Sequence, residues 1–117
     1  MSPKRGERVP PPRRPKGWEL RFATSDAVKG WEELCRNAAA QTWDAWTILS
    51  ERPVTPMNRA RQHQLKGQLG TRSVQGVSMP QWQYEVTSSG RIWYCVDEEN
   101  MVVWLTMAST SHPKATE

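Results

Sequence analysis

The sequence has few cysteines and no long apolar run, and each absence excludes a class of protein. Its 117 residues include only two cysteines, Cys35 and Cys95, and their separation fits no common metal-binding pattern. Two thiols without a disulfide framework predict a cytoplasmic protein. No apolar run reaches the roughly 18 residues of a membrane-spanning helix. The basic N-terminus is not followed by an apolar stretch, so we expect no secretory signal there.

Acidic residues are scarce in two parts of the chain. Residues 1–16 contain six Lys or Arg and one Glu, and residues 52–91 contain six Lys or Arg with Glu85 as their one acid. Residues 19–51 have the opposite balance, with three basic and six acidic side chains. Two basic regions indicate a polyanionic partner such as nucleic acid. An ordinary solvated surface explains the charge equally well.

We expect the first 16 residues to form a disordered, basic, proline-rich arm. Prolines at positions 10, 11, 12 and 15 favour extended polyproline geometry, and repulsion between like charges opposes collapse. Such an arm strengthens polyanion binding through electrostatics, or it only solubilises the chain. The remaining length is typical of one domain, so residues 17–117 should fold as a unit.

The first ordered segments are predicted to be a strand and a helical region. Residues 18–24 alternate apolar with polar side chains, which is typical of a half-buried strand. Ser25 or Asp26 should cap the next helix, because their side-chain oxygens accept hydrogen bonds from its free N–H groups.

Apolar residues then recur at helical spacing between about positions 26 and 51. The periodicity permits one long helix or a helical hairpin that breaks near Asn37. Trp31 and Trp46 occupy core positions of this pattern, and Pro53 ends it.

The second half of the chain predicts a basic segment followed by a sheet. Residues 58–70 should form a short helix or a basic loop, and residues 71–80 a loop. Three strands follow at 81–87, 91–97 and 101–108, and their short turns make them antiparallel neighbours. The predicted fold class is α+β, a small single domain with an N-terminal strand, a helical hairpin, a basic segment and a three-stranded antiparallel meander.

Side-chain parity divides the meander into two faces. The apolar face, which should cover the helices, carries Trp82, Tyr84, Val86, Ile92, Tyr94 and Val96. The second face, which we expect to be open to solvent, carries Gln83, Glu85, Arg91 and Trp93. An arginine that holds phosphate and an indole that stacks on a base suit RNA. A solvated face with a cross-strand Arg–Glu pair is the alternative.

The order of these elements resembles the RelE/ParE superfamily of bacterial toxins over residues 18–112. The supporting segments are "AVKGWEEL", "SERP" at the end of the helices, "QLKG", and "SSGRIWYCVDEENMVVWLTMAS". The pair formed by "QLKG" and "GRIWY" is the most characteristic, because the family shows LKG or LRG and later a strand with arginine and tyrosine.

The resemblance implies a toxin that a cognate antitoxin wraps and neutralises. RelE- and YoeB-like members are mRNA endonucleases that act at the ribosome, whereas ParE-like members poison DNA gyrase and leave RNA intact. We expect an RNA-cleaving toxin with mRNA and the ribosome as partners and with no membrane partner. A gyrase inhibitor or binding module of the same fold is the alternative.

The implied nuclease reaction needs no metal and no small-molecule cofactor. An RNA 2′-OH attacks the adjacent phosphate, a base removes its proton, and an acid protonates the departing 5′-oxygen. Cationic donors hold the phosphoryl oxygens as negative charge develops. The sequence agrees, since it contains no carboxylate cluster or His–Cys set suited to a metal.

The resemblance also assigns site residues. Arg91 matches the strand arginine that contacts the reacting phosphate. His112 lies near the C-terminal histidine that acts as general acid in YoeB-like members, a role that suits imidazole, or it is an exposed tail residue. The chain lacks the catalytic carboxylate of YoeB-like members and the paired strand lysines of RelE-like members, so the expected base is Glu85 or His63. The expected RNA-binding residues are Arg59, Arg61, Lys66, Arg72, Trp93 and Lys114.

Overall fold

A computed structural model describes residues 17–111, together with Arg5, Gly6, Val9 and Pro12. Most of the arm at 1–16 and the C-terminal residues 112–117 lie outside the described residues. The disorder of the arm therefore stays a prediction. None of the described helices is long and apolar enough to span a membrane.

The described residues form two helices and six strands. They are β1 (Glu19–Phe22), α1 (Ser25–Asn37), α2 (Ala39–Glu51), β2 (Gln62–Gln64), β3 (Thr71–Val74), β4 (Val77–Glu85), β5 (Arg91–Asp97) and β6 (Val102–Ser109). The strand order is β1-β6-β5-β4-β2, and β3 pairs with β4 outside this path. β1 runs parallel to β6, and the other pairs are antiparallel. The α+β class and the meander β4-β5-β6 are confirmed.

The helical region is the hairpin that the sequence allowed, not one long helix. Ala38 interrupts it with a φ of −147°, and the hydroxyl of Thr42 donates to the Leu34 carbonyl at 3.1 Å. The predicted cap at Ser25 or Asp26 is wrong, because Thr24 accepts from the Ala27 N–H at 3.0 Å. A threonine hydroxyl makes the same capping bond as serine, so local chemistry alone does not decide between neighbouring positions.

The helices pack closely on the sheet at one glycine. A Cβ added to Gly30 would lie 1.8 Å from the Ala108 carbonyl oxygen, so α1 approaches β6 at a distance that only glycine permits. The apolar face predicted from parity lies in this core, where Ile92 and Tyr94 are fully buried and Trp82 is half-buried. The Tyr94 hydroxyl donates to the Pro53 carbonyl at 2.7 Å. This bond ties the end of the helical hairpin to β5.

The predictions for residues 58–80 are wrong in part. The segment 58–70 contains β2 and a 3₁₀ turn at Gly67–Gly70, and the predicted loop at 71–80 is a β-hairpin made of β3 and the start of β4. Its turn places Gln75 and Gly76 at φ of 53° and 77°. Positive φ at both central residues is typical of the tight turns that join two strands.

This hairpin forms a second, smaller core on the face of the sheet opposite the helices. Val74 and Met79 pack there against Cys95, with Ala23 and Trp104 at the margin. The second face is therefore partly covered, and the prediction that it is open to solvent is wrong for this part.

Candidate functional site

The second face brings several predicted site residues together on adjacent strands. Gln83 of β4 is the register partner of His63 on β2 and of Trp93 on β5. Glu85 and Arg91 are partners in the next row on the same face. The strand pairing therefore places an imidazole, a carboxylate and a guanidinium on one side of the sheet.

Arg91 is buried, so the prediction that it faces solvent is wrong. Only 8% of the residue is exposed, and its Nη1 donates to the carbonyls of Thr87 and Gly90, both at 3.0 Å. The Gly90 carbonyl also accepts from the Val86 N–H at 2.9 Å, and a guanidinium at the start of β5 can reach both carbonyl oxygens. The other terminal nitrogen, Nη2, lies 4.0 Å from Glu85 Oε1. The cross-strand Arg–Glu pair therefore forms, at the long limit of an ion pair.

Trp93 is also buried, which corrects the expected exposure of its indole. It is 7% exposed, and its Nε1 donates to Gln83 Oε1 at 2.8 Å. An indole can be buried when its N–H has a partner, and the glutamine opposite supplies one. The role of Trp93 in RNA binding stays a prediction.

Glu85 is the accessible member of the Glu85–Arg91 pair. Its side chain retains 32% exposure, against 10% for that of Arg91. The exposed Arg61 supports the same strand end, since its Nη2 donates to the Glu85 carbonyl at 2.8 Å and to the Val86 carbonyl at 3.2 Å. Its guanidinium also lies 5.5 Å from the ring centre of Tyr84. Arg61 thus holds the backbone that carries the Glu85 carboxylate.

A basic groove runs beside this pair along the edge strand β2. We use this name for the open depression of about 470 Å³ that is lined by Arg59, Ala60, His63, Gln64 and Lys66. Arg59 and Lys66 are exposed, and His63 is half-buried with Nδ1 3.2 Å from the Arg59 carbonyl oxygen. The basic segment therefore gathers its cations at the edge of the sheet. Arg72 lies exposed on β3.

The turn between β4 and β5 contains residues that the sequence analysis did not single out. Thr87 Oγ1 accepts from the Gly90 N–H at 2.8 Å, and Ser89 Oγ donates to the Thr110 carbonyl at 2.9 Å. The second bond joins the turn to the segment that follows β6. A cluster of threonine, serine and glycine is typical of such turns, and this composition is the feature of the sequence that indicates the turn.

Two predicted site residues, His112 and Lys114, lie outside the described residues. β6 ends at Ser109, which is the register partner of Arg91. The described chain continues to Ser111, whose N–H donates to Ser109 Oγ at 3.1 Å. The segment that leads to His112 therefore starts in the row of the Glu85–Arg91 pair. In the part of the chain that is described, no group of three or more His, Cys, Asp or Glu is arranged to hold a metal ion.

Solved structures of bacterial and archaeal toxins share this fold. The toxin–antitoxin complex RelBE2 from Mycobacterium tuberculosis matches with a TM-score of 0.55 and 22% identity, over 83% of this chain and 99% of that one. The YoeB/ParE toxin from Agrobacterium tumefaciens matches with a TM-score of 0.59 and 17% identity, over 81% of this chain and 99% of that one. The archaeal RelE–RelB complex from Pyrococcus horikoshii matches with a TM-score of 0.55 and 15% identity, over 84% of this chain and 98% of that one.

Sequence comparisons find no such match. No family model matches the chain, and no curated protein sequence matches it significantly. The likeness is thus one of structure, and it extends over nearly the whole length of each solved toxin. It supports the resemblance that the sequence predicted, and the chain has the fold of the RelE, YoeB and ParE toxins.

Proposed function

We propose that the protein is the toxin of a toxin–antitoxin pair and that it cleaves RNA at the Glu85–Arg91 pair. The observation that carries the proposal is the geometry of this pair. A half-exposed carboxylate lies 4.0 Å from a guanidinium nitrogen, on the face that also holds His63. The fold of solved toxins, some of them in complex with antitoxins, supports the biological setting.

In this proposal Glu85 is the general base. Its carboxylate takes the proton from the RNA 2′-OH, which then attacks the adjacent phosphate. Arg91 Nη2 donates to a phosphoryl oxygen, because its Nη1 is already held by the turn and fixes the guanidinium in place. Glu85 suits the role better than His63, which lies one row away from Arg91. His112 protonates the departing 5′-oxygen. The steps use side chains alone and involve no metal or cofactor.

The basic groove binds the RNA backbone next to the reacting bond. Arg59 and Lys66 neutralise phosphates there, and Arg61, Arg72 and Lys114 extend the positive surface. Contacts of this kind release counterions, so binding should weaken steeply as salt rises. The substrate is mRNA in the cytoplasm, including mRNA on the ribosome. The antitoxin covers this surface with acidic side chains, since opposite charges guide the two proteins together.

Replacing one carboxylate tests the reaction. Glu85→Gln keeps the size of the side chain but removes its basicity, so RNA cleavage should fall about 10²–10⁴-fold, the usual contribution of a general base. Cleavage of a labelled transcript by purified protein, with and without ribosomes, measures the change. Glu98→Gln in the exposed turn after β5 is the matched control and should cleave like the wild type. Undiminished cleavage by Glu85→Gln would exclude Glu85 as the base.

Inhibition of DNA gyrase is the second candidate, and the burial of Arg91 favours it. A residue that is 8% exposed and that donates to two carbonyls has fewer free donors for phosphate. A gyrase inhibitor would stop DNA supercoiling in a purified assay and leave transcripts intact. That result for the wild-type protein would replace the nuclease proposal.

A further inference from the structure

An aromatic surface on the helical hairpin has no role in the proposed RNA site. We call it the aromatic groove. It is a cavity of about 150 Å³ lined by Leu20, Arg21, Phe22, Trp31, Trp46 and Leu105. Trp43 extends it, since its ring stacks on Trp46 with centres 5.6 Å apart. The predicted core residues Trp31 and Trp46 therefore line a surface cavity.

The exposure of this surface indicates a binding site. Trp43 is 66% exposed and Phe22 is 44% exposed, although both are large apolar side chains. Clustered aromatic residues at a protein surface are typical of interfaces, where they supply much apolar area at low cost in conformational entropy. β1, which carries Phe22, lies at the edge of the sheet. The aromatic groove therefore lies next to an edge of the sheet, where a ligand can reach it.

The charge of the helical hairpin favours a basic ligand. Residues 25–51 contain five acidic and two basic side chains, which is a net charge of −3. The hairpin as a whole would repel an acidic segment and attract a cationic one, and Arg21, the charged residue in the groove lining, is already paired with Glu19 at 2.7 Å. The ligand should therefore combine positive charge with apolar groups that pack on indole rings.

The arm of this chain has that composition. Residues 9–15 read Val-Pro-Pro-Pro-Arg-Arg-Pro, and residues 1–16 carry a net charge of +5. Polyproline segments bind grooves lined by aromatic rings, because their extended shape is preformed. Arginine adds a favourable contact with the face of an indole. Seven residues in this geometry span roughly 22 Å, similar to the roughly 20 Å of a 13-residue helix such as α2.

The described arm residues do not occupy the groove of their own chain. Arg5, Gly6, Val9 and Pro12 are all exposed, and Val9 retains 92% of its accessible surface. These four described residues are therefore accessible to a second molecule. We propose that the aromatic groove binds the proline-rich arm of a second copy of the chain, so that two copies exchange arms in a symmetric dimer.

Sedimentation velocity of the full-length protein over a range of concentrations tests this proposal. The wild type should form a dimer, and raised salt should weaken it because the arm is cationic. Trp43→Ala removes the exposed ring, and a Pro10→Ala, Pro11→Ala, Pro12→Ala variant removes the polyproline shape but keeps the charge. Each should weaken dimerisation about tenfold or more, as expected for a central aromatic contact. Met57→Ala is the matched control, since Met57 is 83% exposed and lies outside the groove.

Mixing the two defective variants separates exchange between chains from binding within one chain. One variant keeps its arm and the other keeps its groove, so an equimolar mixture should dimerise more tightly than either alone. A wild type that stays monomeric at every concentration would overturn the proposal. So would dimers that neither substitution weakens, or a mixture that behaves like its components. None of these readouts depends on RNA cleavage.

Discussion

The two faces of the sheet are both largely buried, but they are buried by different chemistry. The face toward the helices contains Ile92 and Tyr94, each 0% exposed, in a continuous apolar core. The second face contains the polar residues Gln81 and Thr106, each 2% exposed, and Arg91 at 8%. Thr106 Oγ1 donates to Gln81 Oε1 at 2.6 Å, and Gln81 Nε2 donates to the Leu69 carbonyl at 2.8 Å.

The difference shows that polar residues on a strand do not always mark a solvated surface. A buried polar group is stable when its hydrogen-bonding atoms have partners, and the glutamine, threonine and arginine of the second face each have them. Within the described residues, Trp104 Nε1 is the one buried side-chain nitrogen or oxygen atom without a hydrogen-bond partner. Stability on the first face should therefore depend mainly on packed volume, with one buried polar contact where Gln62 donates to the Tyr94 hydroxyl at 2.9 Å. Stability on the second face should depend more on paired polar atoms.

Ile92→Ala should have the largest effect on stability. It removes methylene groups from a fully buried site between the helices and the sheet, so the free energy of unfolding should fall by about 2–5 kcal/mol. Urea denaturation followed by circular dichroism measures the change. Val77→Ala at the 55% exposed start of β4 is the control and should stay within about 0.5 kcal/mol of the wild type. Equal losses for both would contradict the assignment of the core.

Arg91→Ala should have the next largest effect. The carbonyls of Thr87 and Gly90 would lose a charged donor, which should lower the free energy of unfolding by about 1.5–3 kcal/mol. The same urea experiment measures it, with the exposed Arg72→Ala as a control that changes stability little. An Arg91→Ala protein as stable as the wild type would show that the arginine does not hold the turn in solution.

Thr106→Val should have a smaller effect that isolates one hydrogen bond on the second face. The substitution preserves the shape of the side chain but leaves Gln81 Oε1 without its donor, at a cost of about 1–2 kcal/mol. Thr106→Ser retains the hydroxyl and should recover most of this loss. Equal destabilisation by valine and serine would assign the effect to packing.

Alkaline pH should lower the stability of the fold through two buried groups. Burial raises the pKa of Cys95 from 9.0 to about 11, and burial also raises the pKa of Tyr94 above its usual value of 10.0. Because the folded state holds these protons more tightly, the contribution of Cys95 is complete below pH 9 and is lost as the pH rises through 11, and the contribution of Tyr94 begins to fall above pH 10. Urea midpoints measured from pH 8 to 11 should therefore decrease. Cys95→Ala should make the decrease shallower, and an unchanged slope would contradict the role of this thiol.

The parts of the fold that follow from local pattern could be predicted. Alternation along β5 predicted that Ile92, Tyr94 and Val96 lie on the helix side, because successive side chains of a strand point to opposite faces. The helical hairpin was one of two permitted solutions, since periodicity does not record a break of one residue. The cap at Thr24 was missed by one position, because Thr24 and Ser25 carry the same capping group.

The parts that depend on distant pairing could not be predicted. Gln62–Gln64 has no strand pattern of its own and becomes β2 only by pairing with β4, about 20 residues later. The turn at Gln75–Gly76 lacks the asparagine or aspartate that usually marks a tight hairpin, so β3 was expected to be loop. The shared strand face of Gln83, Glu85, Arg91 and Trp93 was predicted, and the roles of these residues stay predictions. The burial of Arg91 and Trp93 depends on partners that local pattern does not reveal.

The sequence by itself determined the order of the first strand, the helical region and the meander, the apolar face of the meander, and the separation of an acidic helical region from a basic middle segment. These features follow from the spacing of side chains along the chain, which is a local property. Only the tertiary structure decided that His63 lies in the row beside Glu85 and Arg91, that the β3–β4 hairpin covers part of the second face, and that Trp43 stays exposed. Contacts between residues distant in sequence form only when separate elements pack together, and chain periodicity does not encode which partners meet.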